Sequence, residues 1–261
     1  MNQSDSERLA SRLEQAGYKK ADNKYGADLV IINTCGVRQS AENRIYGLIP
    51  GIKKENPKAK VILTGCLSER KDVRRRLGDY VDEWLPIKKI FNFPPFSAGW
   101  RIAEDKQFSI FNKLSNNNSR KKTDKEKCGE YFKIIPKYES EFSAFVPIGN
   151  GCDNFCAYCV VPYARGREVY RPAIEILNEA RGLVKRGYKE IILIAQNVNS
   201  YKSHTDALPD KGGIGRVILS PAEPPLAPPC QGEKIIDFAD LLKIINDITG
   251  DFWLRFLTSH P

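Results

Sequence analysis

Histidine is almost missing from this chain, which holds only His204 and His260. Neither stands beside the clustered cysteines, which argues against a mixed cysteine–histidine zinc site. Long hydrophobic runs are also missing. No apolar stretch reaches the roughly eighteen residues that a membrane-spanning helix needs, so no membrane partner is expected. The opening residues Met1-Asn2-Gln3-Ser4-Asp5-Ser6-Glu7 lack the apolar core of a secretion signal, and a cytoplasmic location is expected. Acidic residues are in deficit, 32 against 41 Lys and Arg, for a formal net charge of +9. A surplus of that sign suits a polyanion such as RNA, although a plain basic surface would look the same.

Cysteine is plentiful by contrast, with seven at positions 35, 66, 128, 152, 156, 159 and 230. In a chain expected to stay inside the cell, that number points to metal or catalysis before disulfides. Three stand in Gly151-Cys152-Asp153-Asn154-Phe155-Cys156-Ala157-Tyr158-Cys159, with three residues between the first pair and two between the second. A loop of that length can wrap three thiolates around one corner of a 4Fe–4S cubane. Three ligands leave one iron open to chemistry, whereas clusters that only pass electrons usually take four cysteines. A structural zinc site is the alternative, but zinc prefers four ligands in two pairs.

The amino-terminal part alternates helix and strand. Ser4 to Ala16 is expected to be a helix, with Ser4 as cap and Glu7 completing a capping box. A strand at Asp28–Asn33, a helix at Gln39–Lys54, a strand at Lys60–Thr64, a helix at Ser68–Leu77 and a short strand at Val81–Leu85 follow. The pattern predicts a small α/β domain over 1–90 with a parallel, Rossmann-like sheet. Cys35 and Cys66 each come just past a strand, at the edge where open α/β sheets bind ligands. Taken singly, each also reads as an ordinary small buried residue.

Residues 91–140 read as a linker. Pro94-Pro95 breaks regular structure, Asn116-Asn117-Asn118 is polar, and Tyr131–Ile134 has the composition of a small strand. Over 141–261 the expectation is strand (Phe142–Ile148), helix (opened by Pro172), strand (Ile191–Ala195), helix (Ile235–Ile248) and strand (Phe252–Leu257). That is part of a (β/α) barrel, with the cysteines past the end of its first strand, where barrels keep their active sites. Gln196 and Asn197 follow the second strand and are expected at the same end. Residues 203–234, rich in Pro and Gly, read as a disordered insertion. Cys128, Cys230 and His204 are not expected to be site residues.

The cysteine spacing, with Tyr158 before the last cysteine, resembles the radical S-adenosylmethionine (SAM) superfamily. Val160-Val161-Pro162-Tyr163-Ala164-Arg165-Gly166-Arg167-Glu168, then Arg171-Pro172, Gln196-Asn197-Val198-Asn199-Ser200-Tyr201 and Thr258-Ser259-His260-Pro261 narrow the resemblance to the methylthiotransferases. The Gln-Asn-Val-Asn run is most similar to the MiaB branch, which methylthiolates N6-isopentenyladenosine beside the tRNA anticodon. The resemblance implies an incomplete radical SAM (β/α) barrel after the small α/β domain. It implies two 4Fe–4S clusters, one on Cys152, Cys156 and Cys159, the other on Cys35, Cys66 and a further cysteine. That cysteine belongs to a Gly-Cys-x-Met-Asn word of which this chain carries only Met1-Asn2. SAM would chelate the open iron and yield a 5′-deoxyadenosyl radical that takes hydrogen from C2 of the adenine. Sulfur would come from the second cluster and the methyl group from another SAM.

Tyr158, Gln196 and Asn197 are the implied SAM or substrate contacts. Arg165, Arg167 and Arg171 are candidate phosphate contacts, or supports of the cluster loop. The implied partners are tRNA and an electron donor such as flavodoxin or ferredoxin, and a monomer is expected. The absent cysteine and half-barrel suggest a fragment or a misplaced start, with little or no methylthiolation by this chain alone. A ribosomal-protein aspartate, another tRNA adenosine, or RNA binding without catalysis are the other readings.

Overall fold

A computed structural model describes residues 1–92, 131–204 and 235–257. Most of the expected linker with Cys128, most of the 203–234 insertion with Cys230, and Thr258-Ser259-His260-Pro261 lie outside the described residues. The chain forms two compact units. One joins residues 1–139 to 150–169, and the other joins 140–149 to 170–261. The loop Cys152–Cys159 therefore belongs to the first unit, although the segments on either side of it in sequence belong to the second.

The first unit runs α1 (Asn2–Gln15), β1 (Leu29–Thr34), α2 (Gln39–Glu55), β2 (Lys60–Gly65), α3 (Lys71–Leu77), β3 (Glu83–Pro86), a 3-10 turn (Ile87–Asn92) and the short helix α4 (Val161–Arg165). β1, β2 and β3 are parallel neighbours in that order. Leu29 stands opposite Lys60 and Thr34 opposite Gly65. Strand periodicity then sorts the side chains by face. Val61 and Leu63 join Ile45, Ile49 and Ile52 of α2 and Val73 and Leu77 of α3 in one core. Ile62 points the other way, with Leu9 of α1, Leu85, Tyr131 and Ile134.

The second unit holds β4 (Ser143–Pro147), α5 (Ala173–Lys185), β5 (Glu190–Ile194), α6 (Phe238–Asn246) and β6 (Trp253–Leu257). β5 lies between β4 and β6, parallel to both. Its residues Ile191, Leu193 and Ile194 are fully buried, as a central parallel strand covered on both faces requires. Ile176, Leu177, Ala180 and Leu183 line the buried face of α5. Among the described residues this sheet has three strands and does not close. Lys202–His204 pairs antiparallel with Ile235–Asp237, with His204 opposite Ile235. The chain thus leaves toward residue 205 and returns after 234 side by side. No described helix is long and apolar enough to cross a membrane.

Several boundaries depart from expectation for local reasons. α1 starts at Asn2, so Ser4 is not its cap; the Ser4 hydroxyl instead accepts from Arg8 inside the helix. Ser68 donates to the Gly65 carbonyl and prolongs a turn, so α3 begins only at Lys71. Tyr131 and Phe132 form a helical turn rather than a strand, since the buried Tyr131 ring anchors the segment and its hydroxyl donates to Asp5. Pro172 caps α5 rather than occupying its first turn. Ile235–Asp237 is a strand, and α6 starts after Asp237, whose carboxylate accepts from the Asp240 N–H at 2.8 Å.

Ile62→Ala removes a fully buried side chain between sheet and α1. It should lower the unfolding free energy by about 2–5 kcal/mol in urea titrations. Leu48→Ala, at a partly buried position of α2, should cost about 1 kcal/mol.

Candidate metal centre

β1 and β2 end level with one another, and each delivers a cysteine one residue later. Cys35 follows Thr34, and Cys66 follows Gly65. Gly65 makes this turn possible. Its φ is +92°, and a Cβ there would stand 2.2 Å from the Thr34 carbonyl oxygen, a conformation and a clearance open only to glycine. The Cys66 N–H then donates back to the same Thr34 carbonyl at 3.1 Å. Cys35 is half-buried and accepts the Val37 N–H on its sulfur. Cys66 is only 4% exposed.

The loop with the other three cysteines is closed by backbone. Gly151 has φ +80°, and a Cβ there would lie 2.0 Å from the Arg167 carbonyl oxygen. The Cys152 N–H donates to the Gly166 carbonyl, and the Glu168 N–H donates to the Asp153 carboxylate. A turn joins Cys156 to Cys159 through their backbones at 2.9 Å. Phe155 adopts φ 47°, an unusual choice for a bulky residue.

The segments that carry these two sets of thiols come together at Gly36. A Cβ on Gly36 would stand 2.8 Å from Cys66 Cβ and 2.8 Å from Val160 Cγ1. The turn after β1, the turn after β2 and the residue after Cys159 are therefore pressed together within one unit.

Behind them lies a buried polar network. Arg165, at the end of α4, pairs with Asp5 of α1 at 2.5 Å, with side chains 1% and 0% exposed. The guanidinium also donates to the side-chain carbonyls of Asn2 and Asn150. Asp5 accepts the Tyr131 hydroxyl at 3.0 Å. Burial opposes the charge on Arg165, but Asp5 and Cys66 hold its pKa above the ordinary guanidinium value. Burial likewise pushes the Cys66 thiol up, with Arg165 working against it. Burial also raises Cys152; the Asn154 N–H opposes that, while Glu168, Cys159 and Cys156 add to it.

The five described cysteines form no disulfide. Among the described residues no three His, Cys, Asp or Glu side chains are already gathered as they would be around an ion. The donor set nevertheless suits an iron–sulfur cluster. Three thiols share one glycine-bounded loop, and the buried Arg165 Nε has no hydrogen-bond partner among the described residues. A cluster sulfur is an acceptor of the kind that such a donor could use.

The arginines divide. Arg165 is spent on Asp5, and Arg171 is buried, donating to the Pro147 carbonyl and to Glu179. Neither is free to meet a phosphate, so of the two roles expected for them the structural one remains. Arg167 is 67% exposed in its side chain, beside Asp153 and over the Phe155 ring. Tyr158 is 79% exposed. In the second unit, Gln196 and Asn197 follow the end of β5. The Asn197 side chain is occupied locally, accepting from the Asn199 N–H and donating to Ser200. Sequence reasoning missed the Asp5–Arg165 pair. Its only trace was Asp5 and Arg8 sharing the inward face of α1 with Leu9.

Comparison with known proteins gives the chain's similarities. A sequence signature described as the Radical SAM superfamily matches residues 146–259, and one described as Uncharacterized protein family UPF0004 matches residues 1–83. Proteins named tRNA-2-methylthio-N(6)-dimethylallyladenosine synthase match the whole chain. Those from Clostridium beijerinckii and Syntrophomonas wolfei are 35% and 37% identical over 100% of this chain and 50% and 51% of their own length. The one from Finegoldia magna is 35% identical over 100% of this chain and 49% of its own. The chain resembles the radical SAM methylthiotransferases throughout its length. It spans about half the length of the curated relatives it matches. Proteins that carry the radical SAM signature use an iron–sulfur cluster and SAM.

Gly65→Ala should destabilise the first unit by about 2 kcal/mol or more, from backbone strain and the Thr34 clash together. Gly17→Ala also has positive φ but nothing within 4 Å, and should cost about 1–2 kcal/mol. Urea midpoints of the two variants check the order.

Proposed function

We propose that this chain carries the cluster-binding part of a tRNA methylthiotransferase that modifies C2 of N6-isopentenyladenosine beside the anticodon. The observation that carries this reading is the close packing at Gly36 of the Cys35 and Cys66 turns against the end of the Cys152–Cys159 loop. Methylthiolation needs a site that makes a carbon radical and a site that gives up sulfur, with little distance between them.

Cys152, Cys156 and Cys159 would hold the cluster that takes SAM. Cys35 and Cys66 would hold a second cluster together with one further ligand. When bound, the first cluster supplies reductive cleavage of SAM and the second supplies sulfur. The chain's own residues orient these groups. Gly151 and the Gly166 carbonyl fix the loop's entrance, and the buried setting of Cys66 keeps water from its sulfur. Tyr158, exposed beside Cys159, offers a ring on which a purine can stack. Gln196 is the open polar side chain after β5, and Asn197 holds the turn that presents it. Arg167 is the exposed guanidinium for a tRNA phosphate. A flavodoxin or ferredoxin would supply the electron, and the work would be done in the cytoplasm by a monomer.

Anaerobically loaded chain, given SAM and a strong reductant, should release 5′-deoxyadenosine and methionine, and Cys156→Ala should fall to background. Uncleaved SAM in fully loaded protein would sink the proposal. Arg167→Ala should weaken tRNA binding several-fold and reduce its salt slope by about 1, measured by filter binding across a salt series.

A further inference from the structure

Helix α3 carries three consecutive arginines, Arg74-Arg75-Arg76, with Lys71 one turn before them. Val73 and Leu77 turn inward to the core, which leaves the arginines around the outward half of the helix, all three exposed. Lys71 and Arg75 stand at i and i+4, a spacing at which like charges repel. The neighbouring carboxylates do not relieve this. Arg70 takes both of them, pairing with Glu42 of α2 at 2.7 Å and with Asp72. Among the described residues no carboxylate pairs with Arg74, Arg75 or Arg76. Rings hold two of the three in place instead. The Arg76 guanidinium lies 3.8 Å from the centre of the Tyr46 ring of α2, and that of Arg74 lies 5.3 Å from the Trp84 ring of β3. Arg74 Nε also donates to the Ser68 carbonyl at 2.8 Å. A guanidinium stacked on a ring keeps its outer N–H edge open and is ordered before a ligand arrives.

We propose that the outward face of α3, through Arg74, Arg75 and Arg76, is a docking surface for the phosphate backbone of RNA. Planar guanidiniums match pairs of phosphate oxygens, and such contacts hold an RNA in place without reading its bases. The net charge of +9 draws a polyanion toward a face of this kind. α3 follows the turn after β2 that carries Cys66, and the Ser68 carbonyl that fixes Arg74 stands two residues after that cysteine. The basic face thus belongs to the same turn-and-helix segment as a proposed cluster ligand. The inference rests on the tRNA reading given above, and it adds where on the first unit the RNA backbone is held.

The test is fluorescence anisotropy of a labelled tRNA transcript titrated with the full chain across a salt series. R74Q/R75Q/R76Q should bind about tenfold more weakly at about 0.1 M salt, and the slope of log affinity against log salt should fall by about 2–3, as three lost phosphate contacts require. Urea unfolding checks that the variant folds. A folded variant with unchanged affinity and slope would overturn the proposal while leaving the tRNA reading intact. A parent chain that binds no tRNA even at low salt would overturn that reading and this proposal together. Weaker binding of an acidic flavodoxin, with tRNA binding unchanged, would overturn the proposal in favour of a protein partner on this face. Should the triple variant fail to fold, R75Q/R76Q, which leaves the Arg74–Ser68 contact in place, decides: a slope lower by about 1–2 supports the proposal, and an unchanged slope overturns it.

Discussion

The contact at Gly36 is the constraint on which the first unit's chemistry depends. Two parallel strands that end in register bring Cys35 and Cys66 to one edge of a sheet. That much is ordinary for an open α/β sheet, whose strand ends gather functional groups. The absence of a side chain at Gly36 adds a third segment, because Val160 and the Cys66 Cβ both occupy space that a Cβ would claim. Gly65 and Gly151 play matching parts. Each takes a left-handed conformation where a backbone carbonyl stands too near for any other residue. Three glycines thus let the cysteine-bearing turns approach their neighbours.

Electrostatics completes the arrangement. A thiol in a dry site resists ionisation, and ligands to iron must be thiolates. Cys66 is the most deeply buried of the five, and the charge on Arg165 works against the rise that burial causes. That cation is affordable only because Asp5 balances it and Tyr131 and two asparagine side chains complete the hydrogen bonding. On the proposed function Cys66 would be a cluster ligand, and the Arg165 charge favours the thiolate that such a ligand must be.

Much of the architecture was legible in the sequence because its strands are short β-branched runs between helical periodicities. Val61–Ile62–Leu63 and Ile191–Ile192–Leu193 could hardly be read otherwise. The order of parallel strands followed from the helices between them. Boundaries were less legible where one side chain decides them, as Asp237 does for α6 and Ser68 for α3. The cysteine loop was plain from spacing alone. The fate of its arginines was not, since Arg165, Arg167 and Arg171 look alike in sequence. Their partners lie 160 positions away for Arg165 and 8 for Arg171 in Glu179, and only folding tells a buried arginine from an exposed one. The grouping of 150–169 with the amino-terminal segment was equally hidden, because it arises from contacts and not from order along the chain.

Iron and acid-labile sulfide per chain after anaerobic reconstitution, beside a Cys152→Ala control, would test the central claim most directly. The account predicts iron and sulfide in equal amounts, with about four of each lost in the control and any remainder depending on Cys35 and Cys66. Zinc bound in place of iron, or iron and sulfide unchanged by Cys152→Ala, would contradict it.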